Sequence, residues 1–504
     1  MIGRPILRLK VDELVPPEED KRMEMGVYDL LLPCRRYDIS YKVAILGLVS
    51  PTLEFLLRLV KAVPGLSEDD AREFFGYDRV EMEYVLEEAT GPGYLEREGA
   101  RLWLANPGER LFNDGDDGPV IYKVEGRRGS YGFDLIALAP ELQRSLDKLE
   151  QGLPDLVLDE EATSGTISKD IPDRFRRFFR ELGDRSDREQ VQKRDLYSID
   201  SVSPGDRFQV PIRMKVYAQA ANPSLGEIDL NAWRPDVELG DRPEVERAAG
   251  HFLTTGLRAS SRPDRDGAAY QTLIDLAPEF LGDFTIQAGL SVKRYWREAV
   301  SRTGDPRTDR MTVPLVGQIT TQQNIERLLR VVDYGIRNVE EPPGVVLSVP
   351  PNVGFWGATS LLRDVIALLR RRVGADEGND ENEPQSYCIV AGKPAKYVEQ
   401  AFDRVEILDA FEVSPSLEML LLPGVAFAAL VHAPIGTQTG TAAPLGFASF
   451  DPVVLDRAHS FVIDRVLRYV GNDVLRSDVE RAMAIPRKVK SAETMPESGE
   501  STLK

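Results

Sequence analysis

The stretch of residues 321–432 constrains the fold more than any other part of the chain. Amphipathic segments at 321–334, 361–372 and 395–402 alternate with short apolar runs at 345–349, 387–391 and 405–408. Helix and strand in alternation require a sheet whose faces are covered by helices. Two more apolar runs, 419–422 and 426–432, follow directly; Pro423-Gly424 separates them, so they read as two buried strands. Neither approaches the roughly 18 apolar residues that cross a bilayer. An acidic insertion at 375–384 interrupts the layer and is expected to be disordered.

Residues 430–464 read LVHAPIGTQTGTAAPLGFASFDPVVLDRAHSFVID. A strand ends on His432, a Gly/Thr/Ala-rich loop follows, and Gly446-Phe447-Ala448-Ser449 reads as a second turn. This layout resembles a half-site of the phospholipase D superfamily. There a strand delivers a His, a Lys sits two residues later, an Asp five after that, and a Gly-Ser-x-Asn turn seven further on. His432 and Gly446 fall on the family's His and Gly. Pro434 stands at the Lys position, Thr439 at the Asp, and Phe447 and Ser449 at the Ser and Asn. The resemblance implies a phospholipase D-like scaffold without the groups that neutralise a phosphodiester, and such groups typically contribute about 100-fold each. It marks His432, Thr437, Thr439 and Ser449 as ligand-binding candidates, with His432 the catalytic residue only if the site is active. The remaining histidines do not complete the site: His251 has no Lys two residues on, and His459 stands where the family often has an acidic residue.

Residues 51–112 carry the clearest local pattern. Leu53, Leu56, Leu57 and Val60 form one helical stripe, stopped by Pro64-Gly65. Ser67 caps a second helix that ends at Gly76, and a third runs over 78–89. A hairpin (94–104) and a short helix opened by Asn106-Pro107-Gly108 follow. Three helices and a hairpin resemble a winged helix. The third helix of such a module enters the major groove. Here it carries Asp78, Glu81, Glu83, Glu87 and Glu88 against Arg79, and the wing tip is Glu96-Arg97-Glu98. Both surfaces would meet phosphate with negative charge, so protein contact or a structural role is the expectation.

Two basic-aromatic clusters are the candidates for nucleic acid. One, at 169–194, offers Arg174, Arg176, Arg177 and Arg180 with Phe175, Phe178 and Phe179; the other offers Lys293, Arg294 and Arg297 around Tyr295 and Trp296. In the first, neighbouring carboxylates nearly balance the charge, which favours an amphipathic helix with a salt-bridged outer face. The turn at 113–118 lacks the closing Glu of a calcium loop.

At 504 residues the chain exceeds one core. The expected fold class is α/β multidomain, an N-terminal winged helix joined to a C-terminal phospholipase D-like α/β layer. Its expected parts are a β element (1–50, two strands with a turn at Pro33 to Arg36), the winged-helix-like module (51–112), a mixed linker (113–200) with strands at 120–124 and 133–138, an α/β middle region (201–310), the degenerate domain (311–470) and a disordered tail (486–504). In the middle region, alternation over 208–217 predicts a half-buried strand, which Pro211 assigns to an edge. The net charge of −19 argues against broad non-specific nucleic-acid binding. Cys34 and Cys388 make no disulfide framework or metal spacing, and no P-loop or dinucleotide fingerprint occurs, so no cofactor or metal is expected. The N-terminus lacks an apolar signal core, which points to the cytoplasm. The functional expectation is a non-catalytic accessory protein of a bacterial nucleic-acid-processing or genome-defence assembly, with a protein partner, no membrane, local nucleic-acid contact through the basic clusters and room for a homodimer. The alternatives are a ligand-responsive winged-helix transcriptional regulator and a phospholipase D-family nuclease.

Overall fold

A computed structural model describes residues 22–46, 50–112, 119, 122–157, 167–182, 194–233, 242–286, 289–301, 304–374, 384–409, 412–486 and 488. The chain is mixed α/β with several sheets. It divides into two compact units, one holding 34–142 and 163–208, the other 1–33, 143–162 and 209–504. The 113–118 turn, the acidic insertion at 375–383 and the tail beyond 488 lie outside the described residues.

The first unit contains the helical module and a long ribbon. Strand β1 (Met23–Leu46) is continuous, where a turn at Pro33 to Arg36 was expected. Proline's fixed φ is compatible with extended backbone, so it breaks a strand only where its missing N–H is needed. In the module, α1 (Pro51–Ala62) buries Leu53, Leu56, Leu57 and Val60. Strand β2 (Leu66–Ser67) leads into α2 (Glu68–Phe75), whose first turn is capped by Ser67 Oγ accepting from Asp70 N at 3.0 Å. Gly76 ends α2 at φ +67°, a conformation costly for side chains. Helix α3 (Arg79–Thr90) starts with a reciprocal cap between Asp78 and Glu81. Strands β3 (Leu95–Glu98) and β4 (Arg101–Leu104) form the hairpin, β2 pairs with β4, and α4 (Asn106–Glu109) closes the module. Met82, Leu86 and Ala89 of α3 join the α1 stripe, Leu95 and Leu102 in one core.

The ribbon pairs β1 from Cys34 to Leu46 with β5 (Tyr122–Asp134) in antiparallel register. The two short strands expected over 120–138 are thus one strand, ended by Asp134. Its buried carboxylate accepts from Ile136 N, Ala137 N and Ala139 N at 2.9, 2.5 and 3.0 Å, turning the chain back on itself. Helix α5 (Ile167–Leu182) lays Ile171, Phe175 and Phe179 on Tyr37, Ile39 and Tyr41.

Strand β6 (Arg194–Gln219) leads into the second unit and pairs there with β7 (Asn222–Asp229). Val210, Ile212, Met214 and Val216 alternate inward as expected, but β6 lies between β1 and β7 and is not an edge strand; Pro211 is accommodated because it precedes the β7 pairing, which begins at Lys215. Helix α6 (Pro243–His251), a π turn at Phe252–Gly256, β8 (Arg258–Ser260), α7 (Pro263–Leu276) and α8 (Pro278–Gly282) follow. Pro278 separates α7 from α8 and starts the new helix. A two-strand ladder, β9 (Thr285–Ile286) and β10 (Gly289–Leu290), precedes α9 (Val292–Val300).

The main sheet carries the α/β layer. In chain order its elements are β11 (Thr312–Val316), α10 (Gln322–Ile336), β12 (Val345–Val349), α11 (Ser360–Arg372), β13 (Gln385–Ala391), α12 (Lys396–Glu399), β14 (Arg404–Leu408), β15 (Leu417–Leu422), β16 (Ala426–Ala433), and, after β17 (Thr439–Thr441), β18 (Ala443–Ser449). The spatial order is β11-β18-β16-β15-β12-β13-β14. β12, β13 and β14 are parallel, and the remaining pairs are antiparallel. Leu328, Val331 and Val332 of α10 and Leu362, Val365 and Ile366 of α11 pack with Ala426, Ala428 and Leu430 in one core. The alternate β16 residue Phe427 meets Phe447, which in turn meets Phe280 of α8. Both sheet faces are covered, which explains the unbroken apolar reading of β16. Helices α13 (Pro452–Arg465) and α14 (Asp473–Met483) complete the unit.

Asp29 of β1, within this unit, is buried and fixes the start of α11. Its carboxylate accepts from Arg213 Nε and Nη2 at 2.8 and 3.1 Å, Thr359 Oγ1 at 3.0 Å and Ser360 N at 2.8 Å. At the surface, Glu279 Oε1 and Oε2 each meet an Arg457 guanidinium nitrogen at 2.7 Å. Arg457 holds the Glu279 carboxyl at about 2. A carboxylate depressed in the folded state stabilises above its unfolded value near 4.3, and that contribution is lost as pH falls toward 2. Glu279→Gln should therefore melt below wild type at pH 6, with the gap closing by about pH 2, as read by circular dichroism.

Candidate functional site

His432 is the next-to-last residue of β16 and is 3% exposed. Its backbone N donates to Ser416 O at 2.8 Å. The ring nitrogen Nε2 lies 2.5 Å from Glu418 Oε2 on the neighbouring β15, and Glu418 is also buried. The hairpin register brings the two together, and the carboxylate fixes the imidazole's orientation.

His432 also lines a cavity of about 310 Å³. Tyr28, Gln318, Asn352, Asp266 and Ser416 contribute polar walls. Gln318 Nε2 donates to Tyr28 OH at 2.9 Å, and Gln318 Oε1 accepts from Val27 N at 3.2 Å. Burial pushes the Tyr28 phenol up, so it stays protonated. Asp266 is already satisfied, accepting from Ser416 Oγ at 2.8 Å and Arg262 N at 2.7 Å. Arg258 of β8, Arg262 ahead of α7 and Arg265 in its first turn line the same cavity and are exposed. Arg258 Nη2 reaches Thr439 Oγ1 at 3.4 Å; none of the three has a carboxylate partner among the described residues.

The expected half-site does not assemble. Residues Gly446 to Ser449 lie inside β18, hydrogen-bonded to β11 and β16, and form no turn. His432 is opposite Pro444, whereas Ser449 is opposite Phe427. Those positions are five residues apart along the strand, about 17 Å. Ser449 Oγ is buried 2.8 Å from Thr312 Oγ1 and accepts from Asp451 N. Thr437 is exposed and donates to Thr439 O at 3.0 Å. Thr439 joins the site only through Arg258. His459 is buried and accepts from Gly424 N at 3.1 Å, and His251 is exposed at the end of α6. Among the described residues no group of three His, Cys, Asp or Glu could hold a metal ion, and no helix is long and apolar enough to cross a membrane.

The basic clusters lie elsewhere. In α5, Phe175, Phe178 and Phe179 are buried, Arg176 pairs with Asp173 at 2.6 Å, and Arg177 covers Phe178; the Arg180 side chain lies outside those described. In α9, Tyr295 and Trp296 are buried, so Lys293, Arg294 and Arg297 keep no aromatic face between them, and Arg294 sits over Phe284. Neither cluster presents these rings for base stacking.

On α3, the outer face is acidic and apolar together. Val80 and Tyr84, one turn apart, are 67% and 71% exposed, and Glu81, Glu83, Glu87 and Glu88 are exposed around them. Arg97 of the hairpin is held by Glu68 and Glu83 at 2.7 and 2.6 Å, which raises its guanidinium further and removes it as a free phosphate ligand.

Comparison of the chain with protein-family models, curated proteins and solved structures finds no match.

Proposed function

We propose that the chain is a non-catalytic accessory or scaffold protein of a nucleic-acid-processing or genome-defence assembly, acting through protein contacts made by its helical module. One observation carries this reading: the exposed Val80–Tyr84 stripe on α3 set among glutamates. The order of three helices and a hairpin fits a winged helix, and α3 occupies the position that reads DNA in such modules. Its charge repels phosphate. An aromatic anchor within an acidic rim suits a partner protein with a basic surface and an apolar hollow, as proteins that handle nucleic acid carry. A phospholipase D-like ancestry for the α/β layer is compatible with this role, because the buried His432–Glu418 pair and the distant Ser449 leave no phosphodiester-cleaving constellation there. The cavity beside His432 favours one second reading, a ligand-responsive regulator.

The test is capture of the tagged chain's partner after nuclease treatment, comparing wild type with Val80→Lys/Tyr84→Lys. Both positions are exposed, so the fold should be kept, as circular dichroism would check. Recovery of a basic partner should fall at least about tenfold in the variant. Equal recovery from both proteins would remove α3 as the docking face.

A further inference from the structure

We propose that the cavity beside His432 binds a small molecule bearing a phosphate monoester, with Arg258, Arg262 and Arg265 receiving the phosphate. This site is independent of the docking role of α3. Elsewhere in the same unit arginines take carboxylates: Arg213 with Asp29, Arg310 with Glu298, Arg370 with Asp403 and Arg457 with Glu279. In a chain of net charge −19, three guanidiniums line one cavity with no carboxylate partner among the described residues, the cavity's Asp266 being bound to Ser416 Oγ and Arg262 N instead. Guanidinium is the side chain best matched to phosphate oxygens, because its planar fork binds them in pairs.

A second observation points to a ligand. His432 is buried and lines the cavity, yet only its Nε2 is used; Nδ1 has no partner among the described residues. The Tyr28 phenol accepts from Gln318, and its own proton likewise has no acceptor among them. Both groups line the cavity wall and are available to a polar ligand that enters it. The carboxylates that could oppose an anion are already committed, Asp266 to Ser416 Oγ and Arg262 N and Glu418 to His432.

The volume sets the ligand's size. About 310 Å³ is at the lower end for small-molecule sites. A second cavity of about 300 Å³ shares Asn352, Val353 and Pro415 with the first and is lined by Phe355, Trp356, Tyr397 and Lys393. It lies beyond the carboxyl ends of β12 and β13, where open α/β sheets place ligands. Phe355 there has φ +58°, a strained conformation for a bulky residue of the kind found at ligand sites. The organic part of the ligand extends toward this aromatic cavity.

The experiment is calorimetric titration of the full chain with inorganic phosphate, ribose 5-phosphate, adenosine 5′-monophosphate and adenosine. At least one organic phosphate should bind with a dissociation constant of about 1 mM or tighter and raise the melting temperature. Preference for the nucleotide over the sugar phosphate assigns the source, and equal binding assigns a phosphorylated sugar. Arg262→Ala/Arg265→Ala should weaken binding at least about tenfold, whereas Arg247→Ala, on the outer face of α6, should not. The backbone N of Arg262 and O of Arg265 make the local hydrogen bonds, so the double variant keeps them. Absence of binding by both organic phosphates at about 10 mM, equal affinity in the double variant, or adenosine binding as tightly as its phosphate would overturn the assignment.

Discussion

His432→Ala should destabilise the chain by about 3–5 kcal/mol, because it leaves the Glu418 carboxylate buried without its partner. Both groups are only 3% exposed, so water cannot replace the lost contact without rearrangement of the sheet. His432→Leu/Glu418→Leu should recover most of that loss, since apolar residues of similar volume often replace a buried polar pair at little cost. Urea unfolding of the single and double variants gives the comparison directly. A single variant as stable as wild type would mean that the pair contributes nothing to the fold. The two variants together separate structure from catalysis: loss of function in His432→Ala alone is ambiguous, whereas the double variant tests the site in a folded chain.

The second large effect is expected at Gly446. A methyl group there would collide with the backbone O of Ala429 on the neighbouring strand. Backbone cannot yield as a flexible side chain can, and Gly446 is held further by Tyr295 OH donating to its carbonyl. Gly446→Ala should cost about 1–3 kcal/mol or more. Gly267, inside α7 with open space for 4 Å around the place a methyl group would take, supplies the contrast. There alanine should stabilise by about 0.5–1 kcal/mol through helix propensity. Denaturant midpoints moving the same way for both substitutions would contradict the packing argument.

Gly446 also shows why part of the site is not legible in the sequence. A glycine shortly ahead of Ala448 and Ser449 reads as a turn, and only the pairing of β18 with β11 and β16 reveals a close approach of strands. A strand covered on both faces lacks the alternation that would announce it. The helical module is legible because its signals are local: Ser67, Gly76 and Asp78 cap or stop helices by contacts within a few residues. The alternating layer over 321–408 is legible for the same reason, since helical and strand periods differ. β1 reads as two strands because Pro33 is a local signal and the β5 partner is far away in sequence. Glu418 does carry a cue: it is the charged residue in LEMLLL, and a carboxylate in a buried strand needs a partner. The arginines at 258, 262 and 265 give no such cue, because their common cavity with His432 and Tyr28 exists only in three dimensions.

The role proposed for the α3 face is protein docking. The decisive measurement is titration of the purified captured partner against the full chain and against Val80→Lys/Tyr84→Lys. The dissociation constant should rise at least about tenfold in the variant and should also rise with salt, as an acidic rim against a basic partner requires. The same affinity for both proteins, or salt-sensitive binding of bare duplex DNA in place of the partner, would contradict that claim.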